Sequence, residues 1–61
     1  MSKMNTSLIA DARVRVLDIK NDIKSGYSVE EACRRARYTV KAYYADIDYL
    51  NSKGFSYVKE K

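Results

Sequence analysis

The residues of this chain best suited to meeting a polyanion are Arg34, Arg35, Arg37 and Lys41, crowded into the run RRARYTVK. Guanidinium and ammonium groups at that density match phosphate oxygens, which they neutralise with release of counterions. Two residues after Arg37 stands Thr39, whose hydroxyl suits a phosphate or a base. A helix starting there turns Val40, Lys41, Tyr44 and Ala45 outward. Such an outward first stretch is what a recognition helix presents to base edges in a major groove. The candidate contacts are therefore Arg34, Arg35 and Arg37 on the sugar-phosphate backbone, Thr39 on phosphate or base, and Val40, Lys41, Tyr44 and Ala45 at the groove.

Other chemistry finds little purchase. The chain has no histidine, a single cysteine and no glycine-rich phosphate loop. Asp46 and Asp48 fall on different faces of a helix, too divergent to share a proton or a metal, and Tyr44 as a nucleophile has no metal cage around it. The expectation is a non-enzyme with no cofactor, no metal and no small-molecule ligand.

These residues need elements to hold them. Ser28 and Glu31 have the spacing of a capping box, so a helix over about 29–36 begins there, with Val29, Ala32, Cys33 and Ala36 on one face. Thr39 caps the recognition helix, about 40–53, and Tyr43, Ile47 and Leu50 point inward at helical spacing while Asp48 joins the outward set. Ahead of both, Ile9, Ala12, Val16, Ile19 and Ile23 define a first helix over about 7–24, with Asp11 early, Lys20 and Lys24 late, and Ser25-Gly26 as its stop. Val14 and Leu17 lie off that stripe, either widening the buried face or forming a seam for a second copy. Arg13, Arg15, Lys20 and Asp22 read as a solvated face, and residues 1–6 as a loose arm. Tyr27 precedes the cap and should pack back on its helix. Asn51-Ser52-Lys53-Gly54 ends the last helix, and Phe55 to Val58 favour a strand that needs the helices or a partner beside it. The predicted fold is all-α, a single three-helix helix-turn-helix domain over 1–61 with a short C-terminal extended segment.

Composition frames the reading. Twelve basic residues against eight acidic ones give a formal charge of +4, which favours polyanionic partners. With 46% hydrophobic residues, no proline and two glycines the chain should fold. No apolar run approaches the roughly 20 residues of a membrane span, and no signal peptide is legible. Together with one cysteine on a core face, this points to a cytoplasmic, intracellular protein. A chain this short buries only about 60% of its unfolded surface, so a homodimer is the expected supplement to stability.

The run EACRRARYTVKAYYADIDYLNSKGF resembles, without gaps, the DNA-binding segment of DeoR-like and related winged-helix regulators, whose recognition helix typically ends in D-I-D-x-L-x-x-x-G. Here that ending is Asp46-Ile47-Asp48-Tyr49-Leu50-Asn51-Ser52-Lys53-Gly54. The resemblance implies a double-stranded DNA-binding domain. Arg37 stands where such turns usually carry glycine, which predicts a corner built without a left-handed residue. A shorter run, ACRRARYTVKAY, resembles the N-terminal helix-turn-helix of phage small terminase subunits through Ala36, Tyr38, Thr39 and Ala42, and implies DNA packaging. The leading expectation is a small transcriptional regulator of viral or plasmid type. The alternatives on the same fold are a packaging or architectural protein and a protein-interaction module using Tyr38, Tyr43, Tyr44, Tyr49 and Tyr57, which an excess of exposed tyrosine would favour.

Overall fold

The computed structural model describes residues 3–60, with side-chain environments from residue 8 onward. Three helices follow one another: α1 (Lys3–Lys24), α2 (Val29–Arg35) and α3 (Val40–Ser52). No strand occurs among the described residues, and the architecture is all-α with α2 and α3 forming a helix-turn-helix. α1 starts earlier than the predicted position near 7. Nothing in Lys3 to Thr6 breaks a helix, and lysine and methionine extend one readily. The expected arm over 1–6 is thus helical from Lys3, and residues 1 and 2 lie outside the described residues.

Each helix contributes three buried residues to one core: Ala12, Val16 and Ile19 from α1, Val29, Ala32 and Cys33 from α2, and Tyr43, Ile47 and Leu50 from α3. Ile9 and Ile23 close the two ends of the α1 stripe, half-buried. The small Ala32 and Cys33 let α2 approach its neighbours closely, and burial pushes the Cys33 thiol up from its ordinary value. Ala36, expected on the same inner face, is exposed, because α2 stops at Arg35 and Ala36 is already its C-cap.

The helix starts are fixed as their capping residues demand. Ser28 Oγ accepts from the Glu31 amide at 3.1 Å while the Glu31 carboxylate accepts from the Ser28 amide, and Thr39 Oγ1 accepts from the Ala42 amide at 3.0 Å. All three helices end in the same pair of bonds, the Schellman motif. For α1 the amides of Gly26 and Tyr27 donate to Ile23 and Asp22, for α2 those of Arg37 and Tyr38 donate to Arg34 and Cys33, and for α3 those of Gly54 and Phe55 donate to Asn51 and Leu50. The residue at the left-handed position has φ +116° at Gly26 and +107° at Gly54, angles open to little but glycine, whereas Arg37 sits at φ +57°. That value lies in the small left-handed well an L-residue can enter at a cost of about 1–2 kcal/mol. The corner is therefore built with a left-handed residue after all, contrary to the sequence expectation, because the Schellman closure requires one and this turn asks for its mildest form.

The tail from Phe55 to Glu60 forms no ladder and packs back on the helices, with Phe55 and Tyr57 against the core. Side chains meet part of its backbone. The Asn51 carboxamide accepts from the Tyr57 amide at 2.8 Å and donates to the Tyr57 carbonyl at 2.9 Å, and Lys20 donates to the Val58 carbonyl at 2.6 Å. Those bonds take the place of the strand pairing that Phe55 to Val58 were expected to seek.

Candidate nucleic-acid interface

The turn between α2 and α3 brings the predicted cations to one corner. Arg34 and Arg35 occupy the last turn of α2, Arg37 the left-handed position after its cap, and Lys41 the first turn of α3. All four are exposed, as are Thr39 and Ala45. Arg34 and Arg35 have a local reason for their places, since positive charge at a helix C-terminus offsets the dipole. Arg37 and Lys41 have none. Arg37 holds a conformation glycine would adopt with less strain, and Lys41 stands at the positive end of α3, whose first turn contains no acid. The contrast with α2 is direct: its first turn holds Glu30 and Glu31.

Among the described residues Arg34, Arg37 and Lys41 make no ion pair, while Arg35 does. The Arg35 Nε donates to Asp22 at 3.0 Å and its guanidinium lies 4.3 Å from the Tyr27 ring centroid. The hydrogen bond to Asp22, reinforced by the charges of Asp22 and Tyr27, raises the pKa of Arg35 further. Arg35 therefore staples α2 to α1 across Tyr27, which is itself exposed at this joint.

The groove-facing set divides in two. Lys41 and Ala45 look into solvent on the open side of α3. Val40, expected outward, is half-buried against the core, because the cap at Thr39 turns the first residue of α3 inward. Tyr44, also expected outward, is half-buried under the tail: its hydroxyl donates to the Glu60 carbonyl, and the Lys59 ammonium lies 6.0 Å from its ring. Thr39 uses its oxygen to cap α3 and keeps its hydroxyl proton for another acceptor.

Sequence reasoning missed the seam between α1, α3 and the tail. Arg15, taken for part of a solvated face, donates to Asp46 at 3.0 Å, and the Tyr38 hydroxyl donates to the same carboxylate oxygen at 2.7 Å. The bond to Asp46 raises the Arg15 pKa, and burial followed by that carboxylate pushes the Tyr38 hydroxyl up. Glu60 accepts from Tyr43 at 2.6 Å and from Lys20 at 2.9 Å. Burial resists its ionisation, yet these two bonds outweigh that and hold its carboxyl below the ordinary carboxylate value. Tyr43 is driven strongly upward by burial and by this acceptor, so it stays a neutral donor. Lys59 pairs with Asp48 at 2.8 Å on the surface. No spacing rule links Arg15 with Asp46 or Lys20 with Glu60, so the only signal was the surplus of charged residues on faces described as solvated.

The tyrosines follow the same pattern. Tyr43 is buried, Tyr38, Tyr44, Tyr49 and Tyr57 are half-buried, and Tyr27 is exposed, lying under Arg35. No helix of the described residues is long and apolar enough to cross a membrane. Comparison with family models, with curated proteins and with solved structures finds no match for this chain.

Proposed function

We propose that the chain is a small duplex-DNA-binding protein, a transcriptional regulator that lays the open side of α3 in the major groove. The observation that carries this reading is the pair Arg37 and Lys41, two exposed cations four residues apart, each held against local preference, one in a left-handed backbone and one at the positive end of a helix. A conflict between local preference and placement is resolved when a phosphate completes the site. In this reading Arg34, Arg37 and Lys41 meet phosphates, Ala45 lies at the base edges, and Thr39 offers its hydroxyl proton to a phosphate oxygen. Tyr44 buttresses α3 from beneath the tail instead of reading bases, and Arg35, paired with Asp22, holds α2 to α1.

The aromatic inventory supports DNA over a tyrosine-based protein contact. Of the six tyrosines, Tyr27 alone is exposed, and the hydroxyls of Tyr38, Tyr43 and Tyr44 are all spent inside the chain. The test is a fluorescence-anisotropy titration against random duplex DNA at two salt concentrations. With about three phosphates neutralised, affinity falls about 40-fold for a fourfold rise in salt. Absence of binding at low salt overturns the reading.

A further inference from the structure

α1 presents a second face, directly away from the core, on which Ala10, Val14, Leu17 and Asn21 recur at intervals of four, three and four. All are exposed, Val14 at 60% and Leu17 at 45%. This is heptad spacing, with Ala10 and Leu17 at d and Val14 and Asn21 at a. A β-branched residue at a, leucine at d and an asparagine at a second a position are the combination that favours two parallel strands in register, because the two asparagine side chains then meet across the axis.

The flanks of the stripe are charged with opposite sign. Asp11 and Asp18 occupy e positions and are exposed without an ion pair among the described residues. Arg13 occupies g, exposed, held only by a 3.4 Å bond to the Tyr57 hydroxyl and by the Phe55 ring, 5.0 Å away at its centroid. In a parallel pair each g residue faces the e residue five positions on in the other strand, which sets Arg13 opposite Asp18 twice by symmetry. In an antiparallel pair like flanks meet, so Asp11 would face Asp18 and Arg13 would face the basic side, a repulsive arrangement.

We infer that this face of α1 is the contact for a second copy of the same chain, paired parallel and in register through Val14, Leu17 and Asn21 with Arg13–Asp18 bridges on both sides. The inference is independent of the DNA reading, since it is measured without nucleic acid. The seam is short, so a dissociation constant on the order of 100 μM is expected, far weaker than a standard-sized interface gives.

Sedimentation equilibrium of the full chain from about 10 μM to about 1 mM spans that range. Leu17→Glu should leave the protein monomeric, with its circular-dichroism melting curve unchanged because Leu17 is exposed. Arg13→Glu should weaken association about threefold to tenfold, and Arg13→Glu combined with Asp18→Arg should restore it. A chain that stays monomeric across the range, association indifferent to Leu17→Glu, or association strengthened by Arg13→Glu, the sign of an antiparallel pair, overturns the inference.

Discussion

Two regions of this molecule are rich in cations and use them in opposite ways. Along the seam of α1, α3 and the tail, Arg15, Lys20 and Lys59 meet Asp46, Glu60 and Asp48 at 3.0, 2.9 and 2.8 Å. At the corner, Arg34, Arg37 and Lys41 stand exposed with no carboxylate partner among the described residues. Three of the chain's eight acids serve that seam and Asp22 pairs with Arg35, which leaves the turn of the helix-turn-helix with exposed cations that no carboxylate meets among the described residues. In the proposed reading, net charge favours a polyanion and these unpaired cations are where it would bind.

The contrast can be broken outright at its common support. Ile47 is fully buried in the helix that carries both regions, and Ile47→Ala should cost about 2–5 kcal/mol, enough to unfold much of so small a domain by thermal or urea melting. Replacing Arg34, Arg37 and Lys41 together by alanine should reduce DNA affinity about 100-fold in anisotropy titrations while leaving the melting temperature close to that of the parent. Replacing Arg15 and Lys59 instead should lower stability and spare most of the affinity.

Smaller effects sharpen the same division. Glu60→Ala removes the acceptor of the buried Tyr43 hydroxyl and the partner of Lys20, so it should cost about 1–2 kcal/mol with little change at the corner. Acid should mimic it. The folded carboxyl titrates below its ordinary value of 4.5, so its contribution is full above that pH and drains away as the pH falls through the lower folded value. Nuclear magnetic resonance shifts of the Tyr57 and Val58 amides should report the tail coming loose in that acid window. Arg37→Gly should have the smallest effect and two signs: stability up by about 0.5–1 kcal/mol as the left-handed strain is relieved, and DNA affinity down a few-fold. Arg37→Ala should lose the affinity without the gain in stability.

Much of the frame was legible in the residues. The Ser28 and Thr39 caps, the inward triad Tyr43, Ile47 and Leu50, and the glycine stops at Gly26 and Gly54 are local features, and local chemistry decides them. Three things were not. Arg37 argued for a different corner because propensity weighs one residue, whereas the Schellman closure binds Cys33, Arg34, Arg37 and Tyr38 together. Arg15, Lys20 and Asp22 looked solvated because helical periodicity sees apolar spacing and is blind to an opposite charge arriving from elsewhere in the chain. Tyr44 looked free because its cover, Glu60, comes from a tail whose β-favouring residues suggested pairing with a strand, not docking on a helix. Of the candidate contacts, Arg34, Arg37, Lys41 and Ala45 stand open, and Tyr44, Val40 and Arg35 are engaged within the chain.

The measurement that bears most directly on the division is the salt dependence of DNA binding for three proteins: the parent, the Arg34/Arg37/Lys41→Ala variant and the Arg15/Lys59→Ala variant. Plotting log K against log salt, the corner variant should lose about 2.7 from the steepness of the parent slope, at roughly 0.9 for each of three phosphates, while the seam variant keeps the parent slope. Equal slopes for the parent and the corner variant, or a loss confined to the seam variant, would contradict the assignment of the corner as the DNA-binding face.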